Sequence, residues 1–511
     1  MSDKSDALFK TILTSSGILI IGLAFRMGLG FLGRVVIARF LGKVNYGSVS
    51  LGLTLMMTTS VLVVVGIDNG IGRYLPRYDE RHRRRGILMS AFQIVVPIAF
   101  LVGLLIVVFA DVIASDVFHT PELTEVIRIF GITIPFAAFV RLTVGSIRGM
   151  QEALPRVYIE NIALPISRFA LIAAAVILGF ESVGIAWAYA GAYGLAATLS
   201  LFYLWKKTPL LERTEFASMH RELLLFSAPL MVSATMNIIL SNLDTFMLGV
   251  LSSPGEVGIY NVAYPLANLL TILLTAFNFV FMPTISELQS NGEYQQLGRV
   301  YHVVSKWVFV FTLPIFIVLA FYPQPIIRLT FGPEYIDGGF ALTILAIGFF
   351  THTVVGPTGN TLMAVGRSQL IMYANIIVAS VNTVLNILLI PEFSFVGAAI
   401  ATTIGYITMN SIYIIYLNKE LGIHPFRAEV FRPGLIAIAL WIGIYLTSQQ
   451  LPLTPLVSMI SSIILFGPLY AIVILRFGGV ESEELALLRS LESKIGVDLN
   501  PLRKFAKRFM G

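Results

Sequence analysis

The chain has 511 residues, of which 56% are hydrophobic and only 13% charged, with a net charge of +6 and a mean hydropathy of +0.83. A soluble domain carries roughly 25% charged residues, and no water-soluble fold of this size has interior enough for so much apolar side chain. Composition therefore excludes a soluble enzyme and points to an all-α membrane protein that uses lipid as its solvent. Cysteine is absent, which removes thiolate metal sites, disulfide frameworks and cysteine nucleophiles.

A spanning helix needs about 20 mainly apolar residues. The first such run follows Lys4 and Lys10 and continues past Arg26 and Arg34 with no small-residue cleavage pattern, so it reads as a retained span rather than a leader. In chain order the expected spans are 12–38, 47–67, 87–110, 126–147, 157–179, 183–204, 223–250, 258–283, 301–322, 340–363, 369–390, 397–417, 434–450 and 455–476. The stretch 301–340 has room for a re-entrant piece. About fourteen spans place both termini on one side.

The basic residues say which side. With the N-terminus in the cytoplasm, cytoplasmic segments hold 27 of the 35 Lys and Arg, while outer loops hold three: Arg39, Lys43 and Arg328. The loop 111–125 carries Asp111, Asp116, Glu122 and Glu125 and no base. Both termini are thus expected in the cytoplasm of a multi-pass cell-membrane protein. A pI near 9.3 then reflects anionic lipid headgroups rather than nucleic acid. The run Arg81-His82-Arg83-Arg84-Arg85 reads as a topology anchor rather than a ligand site. The tail from Glu481 to Gly511 reads as an amphipathic cytoplasmic helix without chemistry of its own.

The second half of the chain echoes the first. Val183-Gly184-Ile185-Ala186 returns as Val396-Gly397-Ala398-Ala399, and Tyr203-Leu204-Trp205-Lys206 as Tyr416-Leu417-Asn418-Lys419, both at an offset of 213. Tyr158 and Asn161-Ile162 find counterparts in Tyr373 and Asn375-Ile376, and Leu41-Gly42, Gly47 and Pro76 in Leu248-Gly249, Gly258 and Pro283. The offset advances six spans, so the copies share an orientation and are related by an axis along the membrane normal. The expected layout is two six-helix lobes, 1–205 and 222–418, joined by a basic cytoplasmic linker at 206–221. Two further helices at 419–477 and a tail at 478–511 follow. Two lobes around a central cavity suit alternating access.

Four segments carry a resemblance to a known family. They are Ala38-Arg39-Phe40-Leu41-Gly42-Lys43-Val44-Asn45-Tyr46-Gly47; Asp244-Thr245-Phe246-Met247-Leu248-Gly249 with Glu256-Val257-Gly258-Ile259-Tyr260-Asn261; Phe331-Gly332-Pro333-Glu334-Tyr335; and Asn382-Thr383-Val384-Leu385-Asn386 running on to Val396-Gly397-Ala398-Ala399. Together they resemble the polysaccharide transporter, or oligosaccharide flippase, branch of the multidrug/oligosaccharidyl-lipid/polysaccharide exporter superfamily. The resemblance implies a carrier with a V-shaped cavity. It would move polyprenyl-phosphate- or pyrophosphate-linked oligosaccharide from the inner to the outer leaflet for cell-surface glycan assembly. Glycosyltransferases or a polymerase of the same pathway are the implied partners besides membrane lipids, and a monomer is expected.

Ionisable residues inside spans cost about 2.5–3.5 kcal/mol each on insertion scales, so each needs a reason. Arg26 and Arg34 lie on the first span, about 80° apart on an ideal helix; Arg141 and Arg168 lie on the fourth and fifth. One reading is a cationic surface for the substrate's phosphates, which arginine grips bidentately. The other is snorkelling or pairing with Asp68, Glu152 or Glu160. Asn261 and Tyr264, with Asn237, Asn242, Asn268, Asn278 and Tyr260, offer hydrogen bonds to a glycan, against the plainer role of interhelical packing.

Asp244 is an acid deep in the second lobe, where a carboxylate without a partner takes a proton or binds a cation. Asn382 and Asn386, four apart, share a helix face, and Thr402 lies on the next span. These positions resemble a sodium site in related flippases, with Asn386 standing where a second acid is expected. Sodium or a proton is therefore the implied coupling ion, with no other cofactor or metal. An ion pair between Asp244 and an arginine is the competing role.

An enzymatic function is not expected. The sequence has no Asp-x-Asp and no Walker motif, its six histidines are scattered, and the outer loops are short. The principal rival is a cation-coupled multidrug exporter of the same superfamily, but that reading calls for an acid-lined cavity, whereas the first lobe supplies arginines.

Overall fold

The structure, a computed structural model, describes residues 2–212, 215–425 and 428–477. The expected tail helix at 481–511, and Arg213 and Arg427 of the cytoplasmic basic set, lie outside the described residues. Every regular element among the described residues is a helix. Among the described residues ten helices are long and apolar enough to cross a bilayer, and two of them, Gly22–Val64 and Ser368–Leu421, each carry two of the expected spans. The chain packs as two compact units, Met1–Asn261 and Val262–Gly511.

In the first unit the helix Ser2–Val64 is broken at Gly42, whose φ of 74° and ψ of 173° no helix contains. Glycine adopts that left-handed φ without a Cβ penalty, so the chain can end one span and start the next without a loop. Immediately after the break, backbones approach as closely as backbones can. A Cβ on Gly47 would sit 1.7 Å from the Pro254 carbonyl oxygen, and one on Gly258 would sit 2.2 Å from the Lys43 carbonyl oxygen. Residues 43 and 254, and 47 and 258, are equivalent at one offset of the repeat, so the two copies touch through the same pair of positions used reciprocally. Small residues permit such contact, and in lipid, where no hydrophobic effect drives helices together, close packing supplies the attraction. The helix His220–Leu251, which opens the second copy of the repeat, packs in this first unit: Gly249 meets Leu51 and Phe118, and Gly70 meets Ser227 and Leu223.

The core of the unit joins the end of the second span to the helix Arg81–Val108 through Val63, Val64, Ile67, Ile71, Leu75, Ile87, Leu88 and Ala91, all buried. The outer face of the same helix exposes Phe100, Leu101, Leu104, Leu105 and Val108, as a lipid-facing stripe should. Some serine and threonine hydroxyls inside spans are satisfied within their own helices: Thr133 donates to the Ile129 carbonyl at 2.7 Å and Ser146 to the Leu142 carbonyl at 2.9 Å. The acidic loop acquires a base from the first turn of the following helix. Arg128 pairs with Asp111 at 2.8 Å and Glu125 at 2.6 Å.

In the second unit the helix Ser368–Leu421 has 54 residues. Straight, it would measure about 80 Å, far more than a hydrocarbon core of roughly 30 Å. It instead turns back at Ser394, which adopts a φ of 49°, three residues after Pro391. Gly397 lies against the Leu389 backbone, and a Cβ on Gly405 would lie 3.5 Å from Val378, so the two arms run side by side. The stretch that had room for a re-entrant piece contains a short helix, Pro323–Thr330, and a 3-10 turn, Pro333–Gly338.

A polar knot lies in the apolar core of this unit. The Tyr322 hydroxyl lies 2.9 Å from Ser448 Oγ, 3.2 Å from Ser458 Oγ and 3.0 Å from Ser462 Oγ, all buried. It joins the helices Ala428–Gln450 and Pro455–Phe477 to the end of Tyr294–Phe321, beside the fully buried Trp441. Tyr322→Phe removes the hub and leaves buried hydroxyls short of a partner, so it is expected to destabilise the second unit by about 1–3 kcal/mol. Thermal unfolding of purified protein reads this directly, and an unchanged midpoint would show that the knot contributes nothing.

Candidate functional site

The charged residues inside the first unit's spans gather around two tyrosines. Arg26 and Arg34 come from the first half of Ser2–Val64, Arg141 from Thr124–Gly149 and Arg168 from Leu164–Ile177. Tyr189 and Tyr193 come from Ser182–Lys207. The Arg168 guanidinium lies 5.6 Å from the centroid of the Tyr189 ring, and its tip is 3.5 Å from where a Gly30 Cβ would be. A Cβ at position 30 would therefore touch this arginine at ordinary van der Waals distance. Arg26, Arg141 and Arg168 all lie near enough to the Tyr193 hydroxyl to act on it electrostatically. Arg34 lies near enough to the Tyr46 hydroxyl to act on it likewise. Of these, Arg168 and Tyr189 are in direct contact.

The pairing alternative holds for one arginine. Arg26 donates to Glu160 at 2.6 Å, and the second carboxylate oxygen accepts from Arg156 at 3.0 Å. Glu160 lies on a π-helical turn, Val157–Ala163, and such wide turns recur at functional sites. Gly22 lets the first helix close on that turn, where a Cβ would meet Asn161 at 3.0 Å. Glu152 accepts from Tyr203 instead, at 3.2 Å. Among the described residues no carboxylate pairs with Arg34, Arg141 or Arg168. Two arginines thus share Glu160, and three more within the spans have no carboxylate partner among the described residues. Such a region repels metal cations and organic cations and attracts phosphate.

The residues expected to hold a glycan are engaged differently. Asn261 donates to the Val257 carbonyl at 3.0 Å and to Thr245 Oγ1 at 3.5 Å, while its own carbonyl accepts from Tyr46 at 3.2 Å. These are the bonds of helix packing. Asn268 accepts from Thr271 at 3.1 Å, and the Tyr264 ring meets Phe349 edge-on at 5.2 Å in the second unit. The side chain of Asn237 lies outside the described residues.

The residues expected to hold a cation fall in both units. Asp244, 8% exposed, is in the first, and its Oδ2 accepts from the Tyr260 hydroxyl at 2.7 Å. Asn382, Asn386 and Thr402 are in the second and buried; Asn386 Nδ2 donates to Asn382 Oδ1 at 3.1 Å. The four-residue spacing does put these two amides on one face.

Sequence reasoning missed Tyr46, Tyr189, Tyr193 and the second arginine on Glu160. Tyr189 and Tyr193 are four apart in a helix otherwise rich in alanine and glycine. That spacing places both rings on one face, and it was the available signal.

An all-α fold with many helices long and apolar enough to cross a bilayer defines a multi-pass membrane protein. More specifically, the chain belongs to the polysaccharide biosynthesis protein family, whose model matches residues 12–289. A second family model, MatE, matches residues 229–388. Among curated proteins, an uncharacterized membrane protein of Methanocaldococcus jannaschii is 27% identical over 77% of this chain and 81% of its own length. The lipopolysaccharide biosynthesis protein WzxC of Escherichia coli is 24% identical over 87% of this chain and 86% of its own. The probable low-salt glycan biosynthesis flippase Agl15 of Haloferax volcanii is 25% identical over 45% of this chain and 49% of its own. Among solved structures, the lipid II flippase MurJ in an inward closed conformation superposes with a TM-score of 0.69 over 89% of this chain and 99% of its own at 15% identity, a likeness of fold.

Proposed function

We propose that this protein is a flippase for polyprenyl-phosphate- or pyrophosphate-linked oligosaccharide, carrying it from the inner to the outer leaflet by alternating access. The observation that carries the proposal is the excess of arginine over carboxylate inside the first unit's spans. Each unpaired guanidinium in a membrane interior is costly and is retained where an anion uses it. Tyr46, Tyr189 and Tyr193 add hydroxyls and ring faces beside those charges, suited to the sugar adjoining the phosphate. The polyprenyl tail needs no binding site, since it remains in lipid. Support also comes from the relatives named as glycan flippases. A multidrug exporter, the reading favoured by the MatE match, would have to pass organic cations through a region that repels them. Enzymatic turnover has no place in this scheme. The protein acts with the glycosyltransferases or polymerase that make and consume its cargo, as a monomer with both termini in the cytoplasm.

The direct test is reconstitution of the full chain in liposomes with a fluorescent polyprenyl-diphosphate oligosaccharide in one leaflet. Accelerated transfer to the other leaflet is expected; transfer no faster than in protein-free vesicles would refute the proposal. In the same reading sodium or a proton binds at Asp244 of the first unit and couples to transport, while Asn382, Asn386 and Thr402 offer oxygen donors of their own within the second. Asp244→Asn removes the charge yet keeps an acceptor for Tyr260. Transfer by this variant is expected to lose its dependence on sodium or on pH, whichever the wild type shows. A dependence as steep as that of the wild type would exclude Asp244 as the ion's ligand.

A further inference from the structure

The basic run at 81–85 is divided in the structure among different tasks. His82 and Arg83 turn to Glu80, at 3.3 and 2.9 Å, and Arg85 stacks on Phe216 at 5.5 Å. Arg81 and Arg84 instead line a cavity of about 440 Å³, with Lys206 and Lys207 at the end of Ser182–Lys207 and Trp205 and Glu212 completing its wall. Four cations face one carboxylate there, and the single ion pair is loose, Arg81 to Glu212 at 3.9 Å with the Arg81 side chain 84% exposed. The Nε of Arg84 is buried without a hydrogen-bond partner, as is that of Arg85, which does not line the cavity.

The walls are held before any ligand arrives. The segment after the cavity lies along the helix Arg81–Val108: Ala217 N donates to the His82 carbonyl at 3.4 Å and Met219 N to Ser90 Oγ at 3.0 Å. Gly86 leaves no room for a side chain, since a Cβ would sit 1.9 Å from the Ala217 carbonyl oxygen. The charges are therefore presented on a rigid frame, and little ordering is needed on binding. The positive end of the Arg81–Val108 helix dipole adds to the potential, with the N–H groups of Arg83 and Arg84 already donating to the Glu80 carbonyl at 3.1 and 3.0 Å.

We propose that this cavity binds the headgroup of an anionic phospholipid. The ligand chemistry is a phosphodiester, and the surroundings favour a lipid over a free anion. Trp205, 65% exposed, is a residue type that settles at the membrane–water boundary, and on the same helix Leu199, Leu201 and Phe202 are exposed apolar side chains. A headgroup in the cavity can thus leave its acyl chains against an apolar helix face. By the distribution of basic residues this is the cytoplasmic leaflet. The site stands apart from the arginines proposed to hold the cargo, and its test does not depend on transport.

Detergent-solubilised full-length protein, titrated with dioleoyl phosphatidylglycerol and observed by native mass spectrometry, should retain one saturable lipid that dioleoyl phosphatidylcholine does not replace. Arg84→Gln combined with Lys207→Gln removes two charges and should weaken retention by about thirtyfold. Glu212→Gln removes the one acid and should strengthen it, a gain that misfolding cannot produce. Lys207→Gln alone, on an exposed side chain, gives a smaller loss and covers the case in which the double variant fails to fold. Equal retention of phosphatidylcholine, unchanged retention by Glu212→Gln and Lys207→Gln, or displacement of phosphatidylglycerol by millimolar inorganic phosphate would each overturn the proposal, the last by showing a site for free anions.

Discussion

Arg168→Ala is expected to lower glycan export by about tenfold to a hundredfold while leaving the amount of protein in the membrane unchanged. A hydrogen bond to a charged group contributes about 1.5–3 kcal/mol, which corresponds to that range. Arg168 is the better choice than Arg26 because of where their charges go. Arg26 is already neutralised by Glu160 at 2.6 Å, so its removal leaves Arg156 as the sole partner of that acid and mixes structural with functional loss. Arg168 lies over the Tyr189 face, and no carboxylate among the described residues is deprived by its loss. Arg168→Lys keeps the charge but not the planar fork that fits a phosphate, so it should fall between wild type and alanine. Export is read by surface glycan in cells lacking the native protein, and membrane level by immunoblot. Full export by Arg168→Ala would remove this arginine from the cargo site.

Gly47→Ala should cost about 3 kcal/mol, near the upper end of what an overpacked core loses. The added Cβ would lie 1.7 Å from the Pro254 carbonyl oxygen. That atom belongs to the backbone and cannot rotate away, so one helix must move. The repeat-related change, Gly258→Ala, meets the Lys43 carbonyl oxygen at 2.2 Å and should cost nearly as much. Because both act on one reciprocal contact, the double variant should lose less than the sum of the two single losses. Thermal unfolding in detergent measures all three. A midpoint for Gly47→Ala equal to that of the wild type would mean that the two helices are not in backbone contact. By contrast, alanine at Gly28, whose Cβ would meet nothing within 4 Å, should be silent.

The class of this protein was decided by quantities that need no three-dimensional information. Apolar content and run length make spanning helices the only way to satisfy backbone groups in lipid, and the family motifs around Gly47, Asp244 and Asn382 are written in the residues themselves. The placement of arginines in the interior was also legible, since a charge amid twenty apolar residues is conspicuous. Which charges neutralise one another was not. Arg26 and Glu160 are 134 positions apart, and only the packing of the first helix on the π-helical turn, allowed by Gly22, brings them within 2.6 Å. The same holds for Asn261, whose amide the sequence offers to a sugar and the fold commits to its own helix. It holds again for the run at 81–85, uniform as a string of cations but divided by its neighbours into paired, stacked and cavity-lining side chains. Composition and periodicity act locally and survive any tertiary arrangement. Pairing depends on distances between helices, and those are set by side chains and glycines far along the chain.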